Sequence, residues 1–157
     1  SLDDLKGEKS TLIMFICNHC PYVKAIIKEL IPECKNLIKL GVNTIAIMSN
    51  DTKSYPEDSF ENMVKFSEKN NFDKINYLID ENQEVARKYG AVCTPDFFGF
   101  NKDLELNYRG RFKELKDLKP INQNESDLSL AMKMIASAQK GPQEQIPSMG
   151  CNIKWNK

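Results

Sequence analysis

Two stretches, TLIMFIC at 11–17 and VNTIAIMS at 42–49, are almost continuously apolar and do not alternate. A strand with one wet face places a polar residue at every second position. A run without that alternation is covered on both faces, as in a parallel sheet flanked by crossover helices. Between the two stretches, Val23, Ile26, Ile27, Leu30, Cys34, Leu37 and Ile38 recur at helical spacing. Strand, helix and strand therefore form a β-α-β unit. Pro32 falls inside this helix, lacks an N–H and is expected to kink it, and Gly41 is placed to end it.

The same rhythm continues. SNDTKSYPEDSFENMVKFSEKNN reads as a loop entering a helix whose first turn holds Pro56, Glu57 and Asp58, and INYLID reads as a third strand. Asp80 and Gln83 resemble a capping box for NQEVARKYG, which Gly90 can stop in the left-handed conformation. AVCTPDFFGFN contains Pro95, which a central ladder does not accept in the ordinary way. A strand is therefore expected to begin at Thr94-Pro95 with a special geometry. NKDLELNYRGRF supplies a turn and an antiparallel partner, and SDLSLAMKMIASAQK a last helix buried through Leu128, Ala131, Met132, Ile135 and Ala138. The order βαβαβαββα has no repeat and no linker. It predicts one α/β domain over 1–157, a mixed central sheet with helices on both faces, and a tail without period from about residue 140.

With 157 residues and 41% hydrophobic content, the chain suits a single core. Twenty-two basic residues balance 22 acidic ones, so no net field recruits nucleic acid or a membrane surface. No apolar run approaches the roughly 18 residues of a membrane span, and SLDDLKGEKS has no signal-peptide pattern, which favours the cytoplasm. The first strong apolar run begins only ten residues in, which leaves open a leader or an opening strand pair outside this stretch.

Five cysteines, an odd and sparse set, point to thiol chemistry or buried free thiols rather than a disulfide scaffold. Cys17 and Cys20 stand two residues apart where a buried strand gives way to a helix, with Pro21 in its first turn. Unpaired N–H groups there stabilise a thiolate, and a charged His19 would add to this. Cys17 is therefore expected to have a lowered pKa and to attack, while Cys20, one turn further in, resolves. That environment also favours the reduced form, so the pair is expected to be more oxidising than thioredoxin, at about −270 mV. A metal site is the second reading, but it lacks a second ligand cluster, and no metal or other cofactor is expected. Two core cysteines are the third. Cys34 shares the apolar face of its helix as an inert thiol. Cys93 reads as an additional redox thiol or a small strand residue, and Cys151 as tail packing, with an extra resolving thiol as the alternative.

CNHCPYVKA, the Pro32 helix and CTPDFF together resemble the thioredoxin-like superfamily. CNHCPYVKA, SNDTKSYPEDS, YGAVCTPDFFGF and PSMGCNIKW more narrowly resemble the peroxiredoxin-like group of the AhpC/TSA and redoxin families. The resemblance implies a three-layer thioredoxin-like sandwich, here without the opening strand pair usual among these relatives. It also implies Cys17 as nucleophile, Cys20 as resolving thiol and Pro95 as a cis-proline facing them, with Thr94 hydrogen-bonding an extended substrate. Against a peroxiredoxin's proline and threonine before the peroxidatic cysteine, TLIMFIC has no proline and Thr11 lies too far back, and Arg109 and Arg111 read as surface charges rather than as its arginine. The expected activity is thiol-disulfide exchange on a protein or small-molecule disulfide, reset by a separate reductase or oxidant. The alternatives are a thiol peroxidase acting on peroxide and a non-catalytic metal- or protein-binding module.

Overall fold

The computed structural model describes residues 2–157. A short helix α1 (Leu2–Leu5) precedes β1 (Ser10–Phe15), α2 (Pro21–Lys39) and β2 (Val42–Met48). A 3₁₀ turn at Pro56–Asp58 leads to α3 (Phe60–Lys69), β3 (Asn76–Ile79), α4 (Glu84–Tyr89), β4 (Cys93–Thr94) and β5 (Asp96–Asn101). β6 (Leu106–Gly110), the small hairpin β7 (Leu115–Lys116) and β8 (Lys119–Pro120), α5 (Asp127–Ala138) and β9 (Cys151–Asn152) complete the chain.

The central sheet runs β3-β2-β1-β5-β6. β1 is parallel to β2 and β2 to β3, while β5 is antiparallel to both β1 and β6. Successive β1 residues feed opposite cores. Leu12 and Met14 meet α2, α3 and α5 through Val23, Leu30, Met63, Met132 and Ile135. Ile13 and Phe15 meet Ala86 of α4, Phe98 and Ile153 of the tail. This is the physical reason for the unbroken apolar runs: both faces of the strand are interior. The result is a three-layer thioredoxin-like sandwich.

Several local readings change. Pro56–Asp58 is a separate 3₁₀ turn, not the first turn of α3, which Ser59 caps by accepting the Asn62 N–H at 3.2 Å. The reason lies in Asp58, which is turned inward and buried. The strand expected to begin at Thr94-Pro95 joins the main sheet as β5 from Asp96; the Thr94-Pro95 peptide bond is cis, and Cys93–Thr94 before it form a separate strand, β4, that pairs with the tail strand β9. α2 is assigned as one helix with Pro32 inside it. At α4, Asp80 accepts the N–H groups of Val85 and Ala86 at 3.2 and 2.9 Å. Gln83 instead donates to the carbonyls of Ser49 and Lys154, tying the tail to the body.

The aperiodic tail is held by its backbone. Lys154 N–H donates to Asn50 Oδ1 at 2.8 Å, its carbonyl accepts the Asp51 N–H at 2.7 Å, and Ile153 N–H donates to the Val92 carbonyl at 3.0 Å. Ile153 is 3% exposed, and burying a side chain of its size contributes about 1.5–3 kcal/mol. Among the described residues, no helix is long and apolar enough to cross a membrane.

Candidate functional site

β1 ends at Phe15, and the chain crosses the end of the sheet before α2 begins at Pro21 with Cys20 as its N-cap residue. Cys17 and Cys20 are thus set by the strand and helix that flank them, and each is 1% exposed. Thr94 faces both: its hydroxyl lies 3.6 Å from Cys17 Sγ, and its carbonyl oxygen 3.3 Å from Cys20 Sγ. Pro95 follows Thr94 and lines a groove of about 370 Å³ whose walls combine Tyr22, Phe97, Phe112 and Met149 with the charged Arg111 and Lys113.

The ionisation of the pair runs against the expectation from sequence. Cys17 is pushed far up by its hydrogen bond to Cys20, by burial and by the Asp58 carboxylate. Cys20 is lowered from 9.0 to about 4, chiefly by the hydrogen bond from Cys17, with burial opposing and Cys151 assisting. The anion is thus disfavoured on Cys17 and favoured on Cys20. Cys20, not Cys17, stands at the helix N-terminus, where the dipole favours an anion.

Asp58 organises the next layer. It is 0% exposed. Its Oδ1 accepts the Asn18 N–H at 2.8 Å, and its Oδ2 accepts from Asn50 Nδ2 at 2.9 Å. His19 Nδ1 lies 2.7 Å from the same Oδ2, an ion-pair distance without the alignment of a hydrogen bond. The His19 ring also stacks on Tyr55, with centroids 5.9 Å apart and planes 5° from parallel. Asn18 accepts the Tyr77 hydroxyl at 2.8 Å. Burial, then the charges of Cys17 and Asp58, raise the Tyr77 hydroxyl well above its ordinary range. Cys17, His19 and Asp58 offer ligand atoms within 4.8 Å of one another. The Asp58 oxygens also accept from the Asn18 N–H and Asn50 Nδ2, so the carboxylate is held in place by its own hydrogen bonds.

The two other candidate thiols separate. Cys93 is half-buried and its sulfur lies 3.6 Å from the Pro95 carbonyl, with burial and Asp96 raising its pKa from 9.0 to about 11. Cys151 is brought opposite Thr94 by the β4–β9 pairing, and its sulfur lies 3.0 Å from that of Cys20. Cys34 is buried at 3.8 Å from Met14 Sδ, away from the site. Arg109 pairs with Asp96 at 3.3 Å and Arg111 with Asp127 at 2.7 Å, so each guanidinium is engaged by a carboxylate.

The sequence model of the AhpC/TSA family matches residues 1–110. The chain belongs to the AhpC/TSA family. Among solved structures, an uncharacterized conserved protein from Geobacillus kaustophilus is 42% identical, with a TM-score of 0.92, 99% of this chain covered and 82% of that one. A hypothetical protein from Sinorhizobium meliloti 1021 is 34% identical, with a TM-score of 0.89 and coverage of 99% and 84%. A secreted Mycobacterium tuberculosis disulfide oxidoreductase, 18% identical with a TM-score of 0.55 over 67% of this chain and 70% of that one, shares the thioredoxin-like fold. No curated protein matches.

Sequence reasoning did not assign Asp58, Asn18, Asn50 and Tyr77 to this AhpC/TSA site. Asp58 read as an acid in the first turn of a helix, although SNDTKSYPEDS was already one of the stretches carrying the family resemblance. Cys151 was weighed chiefly as packing. Gly150 before it was a usable signal: a Cβ there would stand 2.1 Å from the Thr94 carbonyl oxygen, so the tail approaches the site at a position where only glycine fits.

Proposed function

We propose that this AhpC/TSA protein is a thiol-disulfide oxidoreductase in which Cys17 is the nucleophile and Cys20 the resolving thiol. The observation that carries the reading is the convergence of both sulfurs on the two oxygens of Thr94, at 3.6 and 3.3 Å. The hydrogen bond between the thiols gives the charge a route. When the Cys17 proton passes to Cys20, Cys17 becomes the thiolate, and the Thr94 hydroxyl near it favours that anion. Cys17 then attacks a substrate disulfide and expels one substrate thiolate. Cys20 passes its proton to the expelled substrate thiolate, and its own thiolate attacks Cys17, closes the Cys17–Cys20 bond and releases the second substrate thiolate. The His19–Asp58 pair next to Cys17 is a positioning and proton-accepting element in this scheme. Thr94, with Pro95 lining the groove beside it, aligns an extended substrate in this scheme.

The substrate class is a protein or small-molecule disulfide, with a separate dithiol reductase or oxidant resetting the couple. The odd, sparse cysteine set supports a reducing compartment, and we place the protein in the cytoplasm. The balanced charge supports neither nucleic acid nor a membrane surface as a partner.

A second reading, thiol peroxidase, is favoured by the 1% exposure of Cys17, which suits a small peroxide better than a broad protein surface. Assays of insulin disulfide reduction and of peroxide consumption distinguish the two. On the leading reading, wild type accelerates insulin reduction, Cys17→Ser abolishes it, and Cys20→Ser accumulates a mixed disulfide on Cys17. Unchanged insulin reduction in both variants overturns it. Fast peroxide consumption that disappears in Cys17→Ser, without disulfide reduction, selects the peroxidase.

A further inference from the structure

The tail contributes a third sulfur to a site that needs only two. Cys151 Sγ lies 3.0 Å from Cys20 Sγ, about 1 Å beyond a bonded distance. The segment around it is fixed on both sides. Before it, Gly150 abuts the Thr94 carbonyl; after it, Ile153 is buried and Lys154 is bonded to Asn50, Asp51 and Gln83. Arg87 lies over the Trp155 ring at 4.4 Å. Ile153 is buried in the second core, Trp155 stays partly exposed, and Cys151 packs at the edge of the main core beside the site. Exposure divides the three thiols as well: Cys17 and Cys20 are buried, whereas Cys151 is only half-buried. Cys93, also half-buried, has its sulfur against a carbonyl.

We propose that Cys151 is a third redox thiol that takes over the disulfide formed by Cys17 and Cys20 and presents it to an external protein dithiol. This deepens the oxidoreductase reading and rests on it. In the exchange, Cys151 gives up its proton and its thiolate attacks Cys20 Sγ. The Cys20–Cys151 bond forms, the Cys17–Cys20 bond breaks, and Cys17 leaves as a thiolate that takes up a proton. The number of disulfides stays at one and no electrons enter or leave. Cys17 is restored as a thiol while the oxidising equivalent moves to a half-exposed sulfur. A protein dithiol then attacks Cys151. Its own two sulfurs become a disulfide, its two electrons reduce the Cys20–Cys151 bond, and both cysteines regain thiols. The contact with Cys20 that helps hold the Cys151 proton in the reduced protein is altered once Cys20 enters a disulfide, which eases the first step.

The test maps disulfides in the full chain after one equivalent of diamide, with acid quenching at successive times, alkylation, proteolysis and mass spectrometry. Wild type is expected to show Cys17–Cys20 early and Cys20–Cys151 later, with the total constant at one per chain. In Cys151→Ser, Cys17–Cys20 is expected to persist, and its reduction by purified thioredoxin to slow at least tenfold. Only Cys17–Cys20 at all times in wild type, or unchanged reduction by thioredoxin in Cys151→Ser, overturns the relay and leaves the oxidoreductase reading standing. Absence of Cys17–Cys20 from both proteins defeats that reading itself, and the relay with it. The wild-type map requires no variant, so it decides even if a substitution at 151 unfolds the chain.

Discussion

Asp58→Asn tests whether the buried carboxylate holds the site together. The aspartate receives two hydrogen bonds, from Asn18 N–H and Asn50 Nδ2, and faces His19 Nδ1. Asparagine keeps the shape but has one oxygen. If that oxygen stays on the Asn18 N–H, the new NH₂ group confronts the Asn50 NH₂. Asn50 cannot flip to relieve this without withdrawing the oxygen that accepts the Lys154 N–H. One bond to a charged acceptor is lost, at about 1.5–3 kcal/mol, and a buried donor is orphaned, so a total of about 2–4 kcal/mol is expected. With an m-value of about 2 kcal/mol/M, the urea midpoint of the reduced protein should fall by about 1–2 M in far-UV circular dichroism. The same substitution removes a negative charge that raises Cys17, so alkylation of Cys17 by iodoacetamide should accelerate. A midpoint shift below about 0.3 M with unchanged alkylation would refute the reasoning.

Three further perturbations bear on the thiols and the tail. Because Cys20 is lowered in the folded state from 9.0 to about 4, its contribution to stability is fully present above its unfolded pKa and lost as pH falls through the folded one. The urea midpoint of reduced wild type minus that of Cys20→Ala should therefore widen as pH rises from about 5 to about 8, and a flat difference counts against the shared-proton arrangement. Gly150→Ala would place a methyl group 2.1 Å from the Thr94 carbonyl oxygen, forcing β9 away from β4. Trp155 emission should shift to the red and Cys20–Cys151 cross-linking should fall; an unchanged spectrum and yield would mean the tail has another anchor. Ile153→Ala opens a cavity under the tail and should cost about 2–4 kcal/mol in urea unfolding, with less than about 1 kcal/mol showing that Ile153 is not core.

The layers were legible because they follow from periodicity. The apolar runs around Ile13 and Ile45 require burial on both faces, and the helical spacing from Val23 to Ile38 requires a crossover helix. The placement of Cys17 and Cys20 at the first strand-helix junction was legible for the same reason. Long-range polar pairing was not. Asp58 reaches Asn18 across forty residues and Cys151 reaches Cys20 across 131, and neither distance leaves a period in the chain. The expected acidity of Cys17 runs against its surroundings: its hydrogen bond to Cys20, its burial and the Asp58 carboxylate raise it, and Cys20, not Cys17, takes the N-cap position of the helix. The helix expected from Pro56 failed because Asp58 gains more from buried amide donors than from a solvated helix end.

A redox titration of Cys151→Ser, equilibrated in glutathione buffers and read by differential alkylation and mass spectrometry of the Cys17–Cys20 peptide, tests the central claim most directly. The account predicts a single reversible two-electron couple between these two cysteines. Its midpoint should lie above the about −270 mV of thioredoxin, because the hydrogen-bonded Cys20 thiolate stabilises the reduced form. No Cys17–Cys20 disulfide across the buffer range, or a midpoint at or below that of thioredoxin, contradicts it.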